Sequence, residues 1–229
     1  STVTTYSYIF IEHVLQQPKA LDGFPNGVMT ETWEGPVPLD MEMDPEVVSD
    51  YYPEIQTGMT AIPTISLTSD LQDFFGPGGF YFGDNETERE VSLEVLFEGE
   101  ESQDNEQIDV GAEHHSWDRQ KRALRLNFRS TYGKREWDTT LLTKSALNGD
   151  TAATKHRTLI LRSGNHRTWA RGNDPKGTTY TTDQFFRDTQ IAASGVGSHG
   201  IFTHLYINGA YWGVYNLVER PDNYFSAAY

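Results

Sequence analysis

Three cations at even spacing make the first case for chemistry in this chain. Lys121, Arg125 and Arg129 have the same parity, so on one extended strand they leave from a single face. Phosphate oxygens need such donors: Arg forks onto two oxygens and Lys acts as a point charge. A second reading competes. Glu90, Glu94 and Glu98 also share one face of their strand, and if the two strands were neighbours the charges would pair and only stabilise the sheet. Further along, Arg162 ends the run RTLILR just before Ser163-Gly164. Asp188 borders the stripe Phe185, Thr189 and Ala192 of a helical segment, with Arg187 on the other side. A carboxylate beside aromatic surface needs a partner. Asp188 either orients a cation on an anion or is a salt bridge with no ligand near.

Other signals are weaker. The loop 76–83 (GPGGFYFG) has no Walker Lys-Ser/Thr, and Pro77 removes an amide donor, so it reads as a structural turn. His114 and His115 are adjacent and on a strand would face opposite ways, which makes a shared metal a poor reading. Asn85-Glu86-Thr87 fits the glycosylation sequon, a triplet that chance often supplies. Five Trp and twelve Tyr could offer platforms to sugar rings, although core packing is the simpler use.

These groups need elements to place them. The C-terminal run IFTHLYINGAYWGVYNLVER reads as a tight hairpin about Asn208-Gly209. Ile201, Thr203, Leu205 and Ile207 share one face of its first strand. Strict alternation puts Trp212, Val214 and Val218 opposite Tyr211, Tyr215 and Leu217 on the second. Neither strand has a solvated face, so both sides need cover. Strands are also expected at 62–68, 91–98, 123–129 and 157–161, with 99–111 as an acidic loop. The main helix is Thr182 to Ser194, with a Thr181/Gln184 capping box and Gly195 as its stop. Residues 1–60, with prolines at 36, 38, 45 and 53, read as an irregular arm or linker before a domain at 61–229. The fold class is α+β: a mainly antiparallel sheet with one principal helix.

Composition bounds the partners. The chain has 229 residues, no cysteine and a net charge of −15. Such a field disfavours nucleic acid and anionic membranes, and no run is long enough to insert into a bilayer. The charge is segregated: eleven acids and one Arg from Asp84 to Asp109, then seven cations and no acid from Arg119 to Arg135. No secretory signal begins the sequence and its first residue is Ser, so it reads as a mature form or a piece of a longer protein.

The text LYINGAYWGVYNLVERPD resembles the signature of the CotH (spore coat protein H) kinase-like family. IPTISLTSD, FFGPGGFY, KRALRLNFRSTYG, RTLILRSG and FFRDTQIA follow the family in order, so the resemblance spans about Ile62 to Asp222. The order strand, helix, hairpin, polar linker also resembles the end of the amino-terminal lobe of an atypical protein kinase. The resemblance implies ATP and magnesium as cofactors and a protein of unknown identity as phosphoacceptor, at a bacterial cell surface or outside the cell. It implies Lys121, Arg125 and Arg162 on nucleotide phosphates, Asp188 orienting Arg162, and Glu219 opening the hinge. GAEHHSWDRQ stands where the family usually has a small motif and a Lys run, which makes Arg125 a better match than Lys121. The metal-holding and catalytic carboxylates would lie beyond Tyr229, so the chain is expected to be the ATP-binding side of a protein phosphotransferase, inactive alone. The alternative is a non-catalytic surface or adhesion module that binds protein or glycan through Tyr211 and Trp212.

Overall fold

The computed structural model describes residues 5–25, 29–32, 35–38, 40–81, 83, 87–97, 105–115, 121–164 and 179–229. In chain order the first elements are α1 (Ile11–Leu15), the hairpin β1 (Met29–Thr32) and β2 (Gly35–Pro38), α2 (Pro45–Asp50) and α3 (Tyr52–Thr60). Then follow β3 (Thr64–Thr68), α4 (Leu71–Phe75), β4 (Arg89–Leu96), β5 (Glu106–His114) and β6 (Leu124–Asn127). A two-residue pair, β7 (Trp137–Asp138) and β8 (Lys155–His156), precedes β9 (Thr158–Arg162). The chain continues through α5 (Thr182–Ser194), β10 (Gly200–Ile207), β11 (Ala210–Glu219) and α6 (Asn223–Ala228).

Seven of these strands close into a barrel in the order β10-β11-β9-β6-β5-β4-β3. Each neighbouring pair is antiparallel except the closing one, where β10 runs parallel to β3. The protein is α+β, with a large antiparallel sheet and short helices apart from α5. Alternation sends Ile65, Leu67, Leu93, Val95, Leu124, Leu126, Leu159 and Leu161 into one core. Segment 99–111, expected as a loop, is in part strand. Ile108, Val110 and Ala112 alternate inward, and that pattern outweighs the acidic text around them.

Asn208 and Gly209 hold φ of 47° and 81°, the pair of positive angles a type I′ turn needs. The predicted faces of β11 hold only in part. The register shifts after Leu205, so Gly213 pairs with Leu205 while Tyr211 pairs with Tyr206. Trp212 is the extra residue of this bulge, and Gly213 beside it takes a φ of 122°. The extra residue flips the parity, and Trp212 joins Tyr215 and Leu217 in the core instead of opposing them. Its indole donates to the Tyr81 hydroxyl at 2.9 Å, and their rings meet edge-on at 5.5 Å. Phe80 and Tyr81, both fully buried, anchor the Gly-rich loop as a structural turn.

Residues 5–60 hold short helices that cover the second side of the hairpin. Val14 and Met59 pack on Tyr206 of β10. Gln17 donates to the carbonyls of Met41 and Tyr211 and accepts from the Tyr211 amide. Over the other end of the hairpin lies α5, with the predicted bounds and with Gly195 in the left-handed region at its stop. Its capping box does not form: Thr181 makes no side-chain cap bond, and Gln184 turns inward instead. No helix among the described residues is long and apolar enough to cross a membrane.

Candidate nucleotide-facing site

The outer face of β6 carries the first group. Arg125 stands opposite Glu113 of β5, and its guanidinium bonds that carboxylate directly. Asn127 donates to Glu113 at 2.8 Å and to Glu88 at 2.7 Å, while Arg129 donates to Glu88 at 2.9 Å. Burial pushes the Glu113 carboxyl up. The bonds from Arg125 and Asn127 and the charges of Arg125 and Arg129 outweigh it and hold the group below its ordinary range. The acidic strand β4 is not next to β6, since β5 lies between them. Arg125 and Arg129 are therefore partnered by Glu113 and Glu88, not by Glu90 or Glu94; Glu98 lies outside the described residues.

Arg162 closes β9 on the same outer parity as Ile160, which pairs with Arg125. Its guanidinium meets Asp183 in the first turn of α5 at 2.7 Å. Asp183, not Asp188, is thus the helix carboxylate on Arg162. Asp188 is buried, accepts from the Gln184 amide at 2.9 Å, and borders with Gln184 a cleft of about 440 Å³ separate from the one that holds Arg125. The inward stripe of α5 is Gln184, Arg187, Asp188 and Ile191, while Phe185 and Phe186 stand 64% exposed. The expectation followed the apolar residues. The helix instead turns its polar stripe to the sheet because Asn216 of β11 offers partners there: it accepts from Arg187 and donates to Gln184. Burial pushes Arg187 down to about 10, with the nearby Arg162 charge adding to it.

His115 lies just past β5. Burial lowers it most, and the charges of Arg125, Arg220 and Arg162 lower it further against a smaller opposing effect of Glu113. Arg125 and Arg162, singled out separately in the sequence, leave one face of the sheet, since Arg125 pairs with Ile160, two residues before Arg162. Arg220, which sequence reasoning missed, joins them at the end of β11. His114 faces the other way, its Nδ1 2.9 Å from the Phe80 carbonyl oxygen.

The remaining site candidates lie elsewhere. The Lys121 ammonium sits beside Gly213, and burial pushes it down to about 8, partly opposed by Asp40. Glu219 is 4% exposed and has the inward parity of Leu217. It accepts from the His199 amide at 2.9 Å and the Tyr229 hydroxyl at 2.8 Å, and the His199 Nδ1 lies 2.9 Å away. Trp212, proposed as a glycan platform, is fully buried and cannot serve as one. The sequon residues Asn85 and Glu86 lie outside the described residues. Among the described residues no group of three or more His, Asp or Glu is placed to hold a metal ion.

Residues 178–228 match the family described as CotH kinase protein. The matched segment contains α5, the β10–β11 hairpin and α6, and therefore Asp183, Asp188, Glu219 and Arg220. It does not reach Arg125 or Arg162, or the resembling segments from Ile62 to Gly164. This C-terminal part of the chain is CotH-like. No curated protein matches the chain.

Proposed function

From its CotH-like C-terminal segment, we propose that the chain is the ATP-binding side of an atypical protein kinase, with the nucleotide phosphates on Arg125 and Arg162. The observation that carries this reading is that Arg125 and Arg162 leave one face of the sheet from paired strands, with α5 alongside through Asp183. A strand cation steadied by a carboxylate on the following helix is the arrangement that phosphoryl transfer uses to position the phosphates. Here Arg162 and Asp183 take those two parts.

ATP, when bound, supplies the phosphoryl group for a protein hydroxyl. Arg125 and Arg162 would neutralise and orient its phosphate oxygens, Asp183 would hold the Arg162 fork toward them, and Asn127 would keep Glu113 from rotating into the site. The described residues do not fit a magnesium site of their own, so no step is assigned to that ion. On this reading the acceptor is an exported or surface-exposed bacterial protein.

Isothermal titration of ATP into the 229-residue chain tests the assignment. Arg162→Ala should weaken ATP binding roughly tenfold or more while leaving the melting temperature nearly unchanged, since the lost pair is a surface one. Equal ATP affinity in the two proteins would remove Arg162 from the site.

A further inference from the structure

Adjoining the nucleotide-facing group, and sharing Arg125 with it, lies a wider basic feature whose other arginines have no role in that reading. A cleft of about 500 Å³ opens between the end of β6, the turn at 128–135, the approach to β9 and the start of α6. Five guanidiniums line it: Arg125, Arg129, Arg135, Arg157 and Arg220. This is a concentrated positive site in a chain of net charge −15.

The carboxylates at hand do not balance it. Glu113 engages Arg125, Glu88 engages Arg129, and Asp222 lines the cleft while accepting from the amides of Tyr224 and Phe225. Five guanidiniums against three carboxylates leave two positive charges uncompensated. Among the described residues, Arg135 and Arg220 have no carboxylate within ion-pair distance, and Arg157 rests on the Tyr224 ring at 4.1 Å. A phosphorylated side chain carries about −1.5 to −2 at neutral pH, which matches that surplus, whereas a triphosphate chain would overshoot it.

The cleft volume well exceeds one phosphoryl group. Its remaining walls, the hydroxyls of Ser130 and Thr131 and the half-exposed Tyr224 ring, suit the residues flanking such a group.

We propose that this cleft binds a phosphorylated segment of a protein partner, with Arg135 and Arg220 on the phosphoryl oxygens and Arg157–Tyr224 beside the flanking residue. A partner already phosphorylated once would thereby be held next to the nucleotide-facing site. The binding itself does not depend on the nucleotide reading, because Arg135, Arg220, Arg157 and Tyr224, which carry it, take no part in that reading.

The test is fluorescence anisotropy on the whole chain with one labelled peptide in serine and phosphoserine forms. The phosphoserine form should bind roughly tenfold tighter or more. The double variant Arg135→Gln/Arg220→Gln should erase most of that preference, and Arg162→Ala should keep it. Neither arginine of the double variant has a carboxylate partner to strand, and an unchanged melting curve verifies that the variant is folded. Equal binding of the two peptides overturns the proposal. So does inorganic phosphate that competes as strongly as the phosphopeptide, which would make this a site for the free anion. Loss of phosphopeptide binding in Arg162→Ala, with full displacement by ATP, would also overturn it and give the cleft to the nucleotide.

Discussion

Arg162 and Asp183 stand 21 residues apart in sequence and meet at 2.7 Å, where the end of β9 passes the first turn of α5. Both side chains are about two-fifths exposed, 43% and 38%. A pair this open is worth less than about 1 kcal/mol to folding. Its consequence is orientation: it fixes a guanidinium on the same face as Arg125. Asp183→Asn should therefore leave thermal unfolding nearly unchanged while weakening ATP binding. Asp188→Ala should do the reverse, costing about 1–2 kcal/mol by stranding the Gln184 amide while ATP affinity holds. Paired melting and titration of the two variants separates them.

Arg125 differs, because its partner is buried. The Glu113 side chain is 4% exposed, and Asn127 alone cannot satisfy it. Arg125→Ala should cost about 2 kcal/mol in urea unfolding. Adding Glu113→Gln to that variant should restore part of the loss, since a neutral amide no longer needs the guanidinium.

Gly213 adjoins the bulge that sends Trp212 into the core. At φ of 122° a side chain is strained, and a Cβ there would lie 3.3 Å from the Lys121 ammonium. Gly213→Ala should destabilise by about 1–3 kcal/mol, measurable as a lower urea midpoint at constant slope.

Acid should weaken the fold. Burial pushes His115, His156 and His204 below their ordinary value, with the arginine charges adding at His115 and with Glu219 and the Gly58 carbonyl opposing at His156 and His204. These rings stay neutral in the native state and take up protons on unfolding below about pH 6.5, so the unfolded chain binds more protons. Melting temperature should fall from pH 7 to pH 5. His204 bonds through both ring nitrogens, to the Tyr211 hydroxyl and the Gly58 carbonyl, so His204→Gln should flatten that slope at some cost at pH 7.

Local rules made much of this fold legible. The Asn208-Gly209 turn, the bounds of α5 and its Gly195 stop follow from backbone preference and need no tertiary partner. Barrel closure did not show, because the β10–β3 pairing joins segments some 140 residues apart and leaves no local mark. The facing of α5 was misread for a related reason. Hydrophobic periodicity points at Phe185, but Asn216 on a distant strand rewards the polar side of the helix. At the site, residue type was enough to single out Arg125 and Arg162, while only the fold could show that Asp183 and Arg220 stand beside them. Lys121 shared their parity in sequence and lost it where β6 begins, at Leu124.

The most direct measurement is calorimetric titration of the unmodified chain with ATP, ADP and AMP under one buffer. If arginines on this face hold the phosphates, affinity should fall from ATP to ADP to AMP and weaken as salt rises. Three equal affinities, or no heat with any of the three, would contradict the account.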